Sequence, residues 1–204
     1  MTSDLPAATT HEWAQPVDLD HLAAIRAGAA RLVGGGVTHL VQEVLAYADE
    51  EAAAGARTGT VVLTRYPDGS VSVTDDGRGT AVHRRADGTV IRKPVMATKD
   101  LRFFDTTEAT PLPDGRARRG MSVVAALSTW LVHTNHRDEG AWRQRYEHGI
   151  PVGELEEVAG MTGATGTTVH FRPDPDLVPG VLDVLGLDGF DHLRIQVREP
   201  DPRG

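Results

Sequence analysis

Residues 60–79 are predicted to form a β-hairpin whose second strand leads into two carboxylates and two glycines. Residues 61–65 and 71–73 are rich in β-branched side chains, and the turn sequence Pro-Asp-Gly at residues 67–69 separates them. The second strand is predicted to end on Asp75, just before Gly77 and Gly79. Glycines there let the main chain pass close to a bound molecule. The sequence therefore predicts a binding site at Asp75.

A second candidate group, Glu43, lies on a predicted helix. Thr38 is the predicted N-cap, and the helix is expected to run to about Ala54. Glu43 and Tyr47 are four residues apart and share one helical face. That face adjoins an apolar stripe formed by Leu40, Val41, Val44, Leu45 and Ala48.

Composition limits the classes of function. The chain has 204 residues, a net charge of −8 and no cysteine, which excludes disulfides and thiol catalysis. The negative charge argues against direct nucleic-acid binding through a general basic surface. No apolar run has the length of a membrane span, so the prediction is a cytoplasmic protein. We expect a flexible arm at residues 1–17, one domain at 18–199 and a tail at 200–204.

Elements along the remaining chain predict the fold class. A first helix should begin after Asp18 and end near Gly34, and residues 96–120 should form a mobile loop. A helix is predicted at residues 121–131 and a short one at 178–185. Strands are predicted around residues 131–136, 142–147, 167–172 and 193–198, with a further turn within 80–93. Helices interleaved with hairpins predict an α+β two-layer sandwich, with helices on one face of a mixed sheet.

Five segments together resemble the ATP-binding domain of the DNA gyrase B family, in the GHKL superfamily. They are HLVQEVL at residues 39–45, DGSVSVTDDGRG at 68–79, GMSVVAALS at 120–128, RQRYEHGIPVGEL at 143–155 and TGTTVHFRPD at 165–174. Their order and approximate spacing are those of the family. The resemblance covers about residues 18–199 and implies the GHKL (Bergerat-type) fold.

The resemblance also implies roles for individual residues. Glu43 matches the general base, and Asp75 matches the carboxylate that accepts the adenine amino group. Arg78 matches an arginine at the pocket mouth, where Glu50 would pair with it, and Arg137 matches a second rim arginine that aminocoumarin inhibitors use. The implied catalytic groups are Glu43 and Asp75, and the implied ligand-binding residues are Val44, Tyr47, Ala48, Glu50, Val73, Asp75, Gly77, Arg78, Gly79, Gly120, Arg137, Thr167 and Val169.

Two departures from the family pattern affect the phosphate half of the implied site. Tyr47 replaces the asparagine that holds magnesium, and a phenol is a poor ligand for that ion. Arg118 replaces a glycine of the loop whose amides cradle phosphates, which removes conformational freedom there. We therefore predict no metal site and no cofactor; ATP and magnesium belong only to an alternative interpretation.

Each departure has alternative interpretations. Tyr47 either fills the vacated phosphate site as a core aromatic or stacks on a ligand. Arg116, Arg118 and Arg119 are interpreted as a solvated basic loop rather than a phosphate clamp. His133 and His136 are three residues apart on a predicted strand, hence on opposite faces and unsuited to share a metal. Ser122 lacks the context of a catalytic nucleophile.

Three functions remain open from the sequence. The leading hypothesis is a gyrase-B-like protein with impaired ATP hydrolysis whose former adenine pocket binds another small, largely apolar molecule. That binding would serve sequestration, or a recruited reaction in specialised metabolism with Glu43 or Asp75 as acid or base. The alternatives are a weak or partner-completed ATPase and a regulatory partner of gyrase or a sensor kinase. Because the match ends with the ATP-binding domain, we do not expect a topoisomerase from this chain alone.

Overall fold

The predicted hairpin that carries Asp75 is confirmed. Strand β1 (Gly59–Arg65) pairs antiparallel with β2 (Val71–Asp75), and β2 ends on Asp75. Gly69 in the connecting turn has a φ of +82°, which glycine adopts without steric cost.

The computed structural model of the chain describes residues 17–80, 82–84, 90–92, 96–104, 110–158 and 164–199.

The main sheet is mixed, as predicted, and it contains seven strands. The further strands are β3 (Val82–Arg84), β4 (Val90–Arg92), β5 (Ser128–Arg137), β6 (Gly140–Glu147), β7 (Ile150–Val158), β8 (Gly166–Pro173) and β9 (Leu193–Arg198). The order in the main sheet is β7-β6-β5-β8-β2-β1-β9, while β3 and β4 form a separate hairpin. Among the described strands of the main sheet, only the β1–β9 pair is parallel. Strand β2 therefore lies in the interior of the sheet, between β1 and β8.

The helices pack on one face of this sheet. They are α1 (Leu19–Ala27), α2 (Ala29–Leu32), α3 (Gly36–Ala54), α4 (Leu101–Phe104) and α5 (Met121–Ala126). Leu40 and Leu45 of α3 are fully buried in one core with Val61 and Leu63 of β1 and Val73 of β2. Alternate strand residues thus face α3, which places the helix across the end of β2 that carries Asp75. No described helix is both long enough and apolar enough to cross a membrane.

Three predictions about the helices are wrong. Thr38 is not an N-cap: α3 begins at Gly36 after Gly35, and the Thr38 hydroxyl instead accepts from the Asp183 amide. The helix predicted at residues 121–131 ends at Ala126, because residues from Ser128 onward pair with β8. The helix predicted at 178–185 is only a 3₁₀ turn at Val184–Leu187. Two glycines set the start of α3, and the pairing of β5 with β8 ended the helix at Ala126, so both overrode the local apolar pattern.

Other predictions differ in detail or fall outside the described residues. Strand β7 at Ile150–Val158 was not predicted, because its exposed, glutamate-bearing sequence gives little apolar alternation. The predicted mobile loop contains α4, and its described residues 110–120 are bonded to α3. The predicted arm apart from Val17, the tail at 200–204 and the turn at 85–89 lie outside the described residues.

Candidate functional site

Asp75 lies where the end of β2 meets the start of β8. Its Oδ1 accepts from the amides of Gly77 at 2.8 Å and Thr167 at 3.3 Å, and its Oδ2 accepts from the Thr167 hydroxyl. Burial is the dominant influence on the Asp75 carboxyl and raises its pKa above the ordinary value, although these bonds oppose the shift. Among the described residues, no Lys or Arg nitrogen forms an ion pair with Asp75. Asp75 Oδ2 accepts one bond in the structure and can accept a second from a hydrogen-bond donor.

Gly166 permits this meeting of strands. It has a φ of +142°, and a Cβ placed on it would lie 2.0 Å from the Asp75 carbonyl oxygen. No side chain fits at that separation without moving one of the two strands. The Thr167 to Asp75 bonds therefore depend on glycine at the preceding position.

A cavity of about 500 Å³ opens beside Asp75, between α3 and the sheet. Apolar side chains from both layers form much of its walls, and polar or charged side chains lie at its ends and mouth. The lining residues are Val44, Tyr47, Ala48, Glu50, Glu51, Val73, Asp75, Arg78, Gly79, Thr80, Met96, Arg102, Met121, His133, Arg137, Thr167 and Val169.

The arginines at the cavity mouth are already paired. Arg78 donates to both carboxylate oxygens of Glu51 at 2.5 and 3.0 Å, so the predicted Arg78 to Glu50 pair is wrong by one residue. The bonds from Arg78 hold the pKa of Glu51 below its ordinary value. Arg137 donates to Glu139 and to the Gly79 carbonyl. These guanidinium groups shape the mouth without presenting an uncompensated positive charge.

Tyr47 and Arg102 close one end of the cavity. The Tyr47 hydroxyl donates to Asp100 at 2.9 Å, and Arg102 donates to both Asp100 oxygens at 3.1 and 2.8 Å. Asp100 is only 1% exposed, so Tyr47 and the more exposed Arg102 cover a buried carboxylate. Burial and the neighbouring Asp100 charge raise the Tyr47 pKa, which keeps the phenol protonated.

Arg118 is buried, contrary to the interpretation of Arg116, Arg118 and Arg119 as a solvated basic loop, whereas Arg116 is exposed. Its side chain is 6% exposed, and two of its guanidinium nitrogens donate to Glu50. The guanidinium carbon lies 4.4 Å from the ring centres of both Tyr47 and Phe103. This arrangement combines an ion pair with two cation–π contacts. Arg118 thus fastens its loop to α3 at Glu50.

Glu43 does not line the cavity. It is 0% exposed, and its two carboxylate oxygens accept from the amides of Arg119 at 2.6 Å and Gly120 at 2.8 Å. Burial raises the pKa of Glu43 to about 7, although the two amide bonds oppose the shift. Both oxygens are therefore occupied by the chain itself.

The structure brings most of the predicted ligand-binding residues to one place. Of that set only Gly77 and Gly120 do not line the cavity: Gly77 donates its amide to Asp75, and Gly120 donates to Glu43. Sequence reasoning missed Glu51, Thr80, Met96, Arg102, Met121 and His133. The alternation of β5 would have placed His133 on the same face as buried Leu131, whereas no sequence signal marked Arg102.

Comparisons with known proteins agree with this geometry. No protein-family model matches the sequence. The DNA gyrase B protein of Thermotoga maritima is 39% identical over 141 residues, and that of Mycolicibacterium smegmatis is 37% identical over 163 residues. These matches cover 69% and 78% of the chain. The chain is homologous to the GHKL domain of DNA gyrase B. It matches only 22% and 24% of the lengths of these two relatives.

Solved structures show the same GHKL fold. The 43K ATPase domain of Thermus thermophilus gyrase B, in complex with an aminocoumarin, has a TM-score of 0.68 and 26% identity. That match covers 89% of this chain and 49% of the other. The topoisomerase IV ATP-binding domain of Francisella tularensis, bound to a small-molecule inhibitor, has a TM-score of 0.56 and 27% identity. It covers 72% of this chain and 39% of the other. The α+β GHKL prediction is therefore confirmed.

The residues of the phosphate half do not fit a magnesium-bound triphosphate. Tyr47, at the position implied for the magnesium ligand, donates its hydroxyl to Asp100. Two amides of the phosphate loop, at Arg119 and Gly120, already bind the Glu43 carboxylate. Across the described parts of the chain, no cluster of three or more His, Asp or Glu residues is arranged to hold a metal ion.

Proposed function

We propose that this GHKL domain binds a small, flat, uncharged and largely apolar molecule, and that it hydrolyses ATP poorly or not at all. The observation that carries the proposal is the contrast between the two ends of the site. Asp75 offers a half-buried acceptor at one end of the cavity. At the other end Tyr47, Asp100 and Arg118 form internal bonds where phosphates and metal would need free donors and ligands.

Charge balance supports an uncharged ligand. The three arginines that line the cavity each have a carboxylate partner: Arg78 with Glu51, Arg102 with Asp100 and Arg137 with Glu139. An anionic ligand would compete with carboxylates already in place. The paired arginines also do not provide the strong positive field that polyanion binding needs. An N–H or O–H group of the ligand would instead donate to Asp75.

The walls support an apolar body for the ligand. Val44 and Ala48 come from α3, and Val73 and Val169 come from the sheet below. Met96 and Met121, only 2% and 4% exposed, complete the apolar lining. Methionine adapts to irregular shapes, so these two side chains suit a ligand that differs from adenine.

Calorimetry with ATP and with an aminocoumarin, each with and without magnesium, tests the proposal. The aminocoumarin is chosen because the similar domain of Thermus gyrase B was solved with one. We expect the aminocoumarin to bind equally well with and without magnesium, and we expect no tight, magnesium-dependent binding of ATP. Tight ATP binding that requires magnesium would overturn the proposal and favour the weak or partner-completed ATPase.

Asp75→Asn is expected to weaken aminocoumarin binding. An amide places a donor where the carboxylate accepts, and hydrogen bonds to charged groups contribute about 1.5–3 kcal/mol, so affinity should fall roughly tenfold to a hundredfold. Calorimetry measures the change. Asp76→Asn is the matched control, because neighbouring Asp76 faces Arg57 at 2.7 Å and does not line the cavity. Equal losses in both variants would argue against a contact at Asp75.

A further inference from the structure

The loop over the buried end of the site is held to α3 by several side chains. We call residues 110–120 the lid segment. It contacts four polar side chains that α3 presents in succession: His39, Gln42, Glu43 and Glu50. Because Glu50 also lines the cavity, displacement of the lid segment would separate Arg118 from a carboxylate of the cavity wall.

Glu43 is the costly member of these contacts, because it is a buried carboxylate without a cationic partner. Among the described residues, no Lys or Arg nitrogen lies within 4 Å of its oxygens, and the nearest basic group is His39 Nε2 at 3.6 Å. Arg118 of the lid segment attracts Glu43 through space but donates to Glu50, while Asp114 of the same segment repels it. Removing the lid segment would let water reach this charge.

His39 offers a place for a proton on Glu43. Its Nδ1 lies 2.7 Å from Asp114 Oδ2, while its Nε2 is buried and has no hydrogen-bond partner. Burial and the nearby Arg116 lower the pKa of His39, although Asp114 opposes them. In the neutral ring, Nδ1–H donates to Asp114. Nε2 is then an acceptor, and protonated Glu43 would donate to it after a small shift. That bond satisfies the otherwise unpartnered nitrogen.

We propose that Glu43 is a proton-operated latch: when protonated it keeps the lid segment closed on α3, and when ionised it favours opening. The direction follows from solvation. Opening moves Glu43 from a buried position to water, where a carboxylate has a lower pKa than the value of about 7 in the closed state. Loss of the proton is therefore easier in the open state, so rising pH shifts the equilibrium toward opening.

The latch assigns Glu43 a positioning role in place of the catalytic role implied by the resemblance. Its two oxygens bind main-chain amides of the lid segment and do not reach the cavity. The consequence for a ligand rests on the proposed function, because a change at Glu50 in the cavity wall matters only if a ligand binds there. The motion of the lid segment itself does not depend on that function.

Amide exchange in the ligand-free protein tests the latch. Exchange of the Arg119 and Gly120 amides is measured by NMR between pH 5.5 and 7.5, and each rate is divided by the intrinsic exchange rate at that pH. We expect the resulting opening constant to rise on the order of tenfold across this range and to level off above it. In Glu43→Gln the constant should not change with pH. Asp49→Asn, which neutralises an α3 carboxylate bonded to His192 instead of the lid segment, should keep the wild-type dependence.

Two results would overturn the latch. One is an opening constant of the wild type that does not change with pH, and the other is an unchanged pH dependence in Glu43→Gln. If that variant does not fold, carbon NMR of the wild-type Glu43 carboxyl decides: a midpoint near 7 supports the latch and one near the ordinary 4.5 excludes it. None of these measurements needs a ligand. Failure of aminocoumarin binding would therefore count against the proposed function alone.

Discussion

Gly166→Ala is expected to lower the free energy of unfolding by roughly 3 kcal/mol or more, one of the largest effects open to a single methyl group. The added Cβ would lie 2.0 Å from the Asp75 carbonyl oxygen and 3.0 Å from its carbon. Both contacts are to main chain, so relief requires β2 and β8 to separate where they meet. Separation would also break the bonds from Thr167 to Asp75. Chemical denaturation measures the loss, and the folded fraction should bind no aminocoumarin.

Gly69→Ala is the matched control for this prediction. Gly69 also has a positive φ, +82°, but nothing lies within 4 Å of a Cβ placed on it. Its substitution should therefore cost only the backbone conformation, about 1–2 kcal/mol, and should leave ligand binding intact. Similar losses of stability in the two variants, with binding retained in both, would show that the strands do not approach as closely as described.

The second large effect is a change of stability with pH that depends on Glu43. Its pKa is about 7 in the folded protein and 4.5 ordinarily, so the folded state binds this proton more tightly than the unfolded state does. The contribution of Glu43 to the free energy of unfolding is therefore most favourable below pH 4.5 and is lost as pH rises to 7. The free energy of unfolding of the wild type, relative to Glu43→Gln, should fall by roughly 2–3 kcal/mol between pH 5 and pH 8.

Denaturation of both proteins at several pH values measures this difference. Subtracting one protein's values from the other's also cancels the contributions of groups far from Glu43. Glu156→Gln serves as the control, because Glu156 is 60% exposed and pairs with Arg143 at the surface. Exposed pairs contribute about 0–1 kcal/mol, so its difference from wild type should be small across the whole range. A wild-type to Glu43→Gln difference that is constant with pH would mean that Glu43 keeps its ordinary titration when folded.

The sequence was most informative where local signals and the resemblance coincided. The turn at residues 67–69 and the β-branched strands around it predicted where β2 ends, and the apolar stripe of α3 predicted Val44 and Ala48 on the side that faces the cavity. Both depend on interactions within one element or one hairpin. The strand period also places Thr167 and Val169 of β8 on the same face, so both line the cavity.

Long side chains that cross between elements were beyond sequence reasoning. Arg118 reads as a surface residue within a basic run, yet its guanidinium lies between two rings and binds Glu50. Arg102 carried no signal because its partner Asp100 is buried only by the complete fold. The error between Glu50 and Glu51 has a similar origin: adjacent helix residues point about 100° apart, and only the position of Arg78 selects one of them.

The distance along the chain between the two sides of the site affects when it forms. Asp75 and Thr167 are 92 positions apart, yet they bond directly and define the polar end of the cavity. Closing so long a segment costs chain entropy before any contact compensates, so such pairings form slowly. During synthesis the hairpin of β1 and β2 is complete long before β8 emerges. The cavity is therefore a late product of folding, and a nascent chain gains it only after nearly the whole sheet has been made.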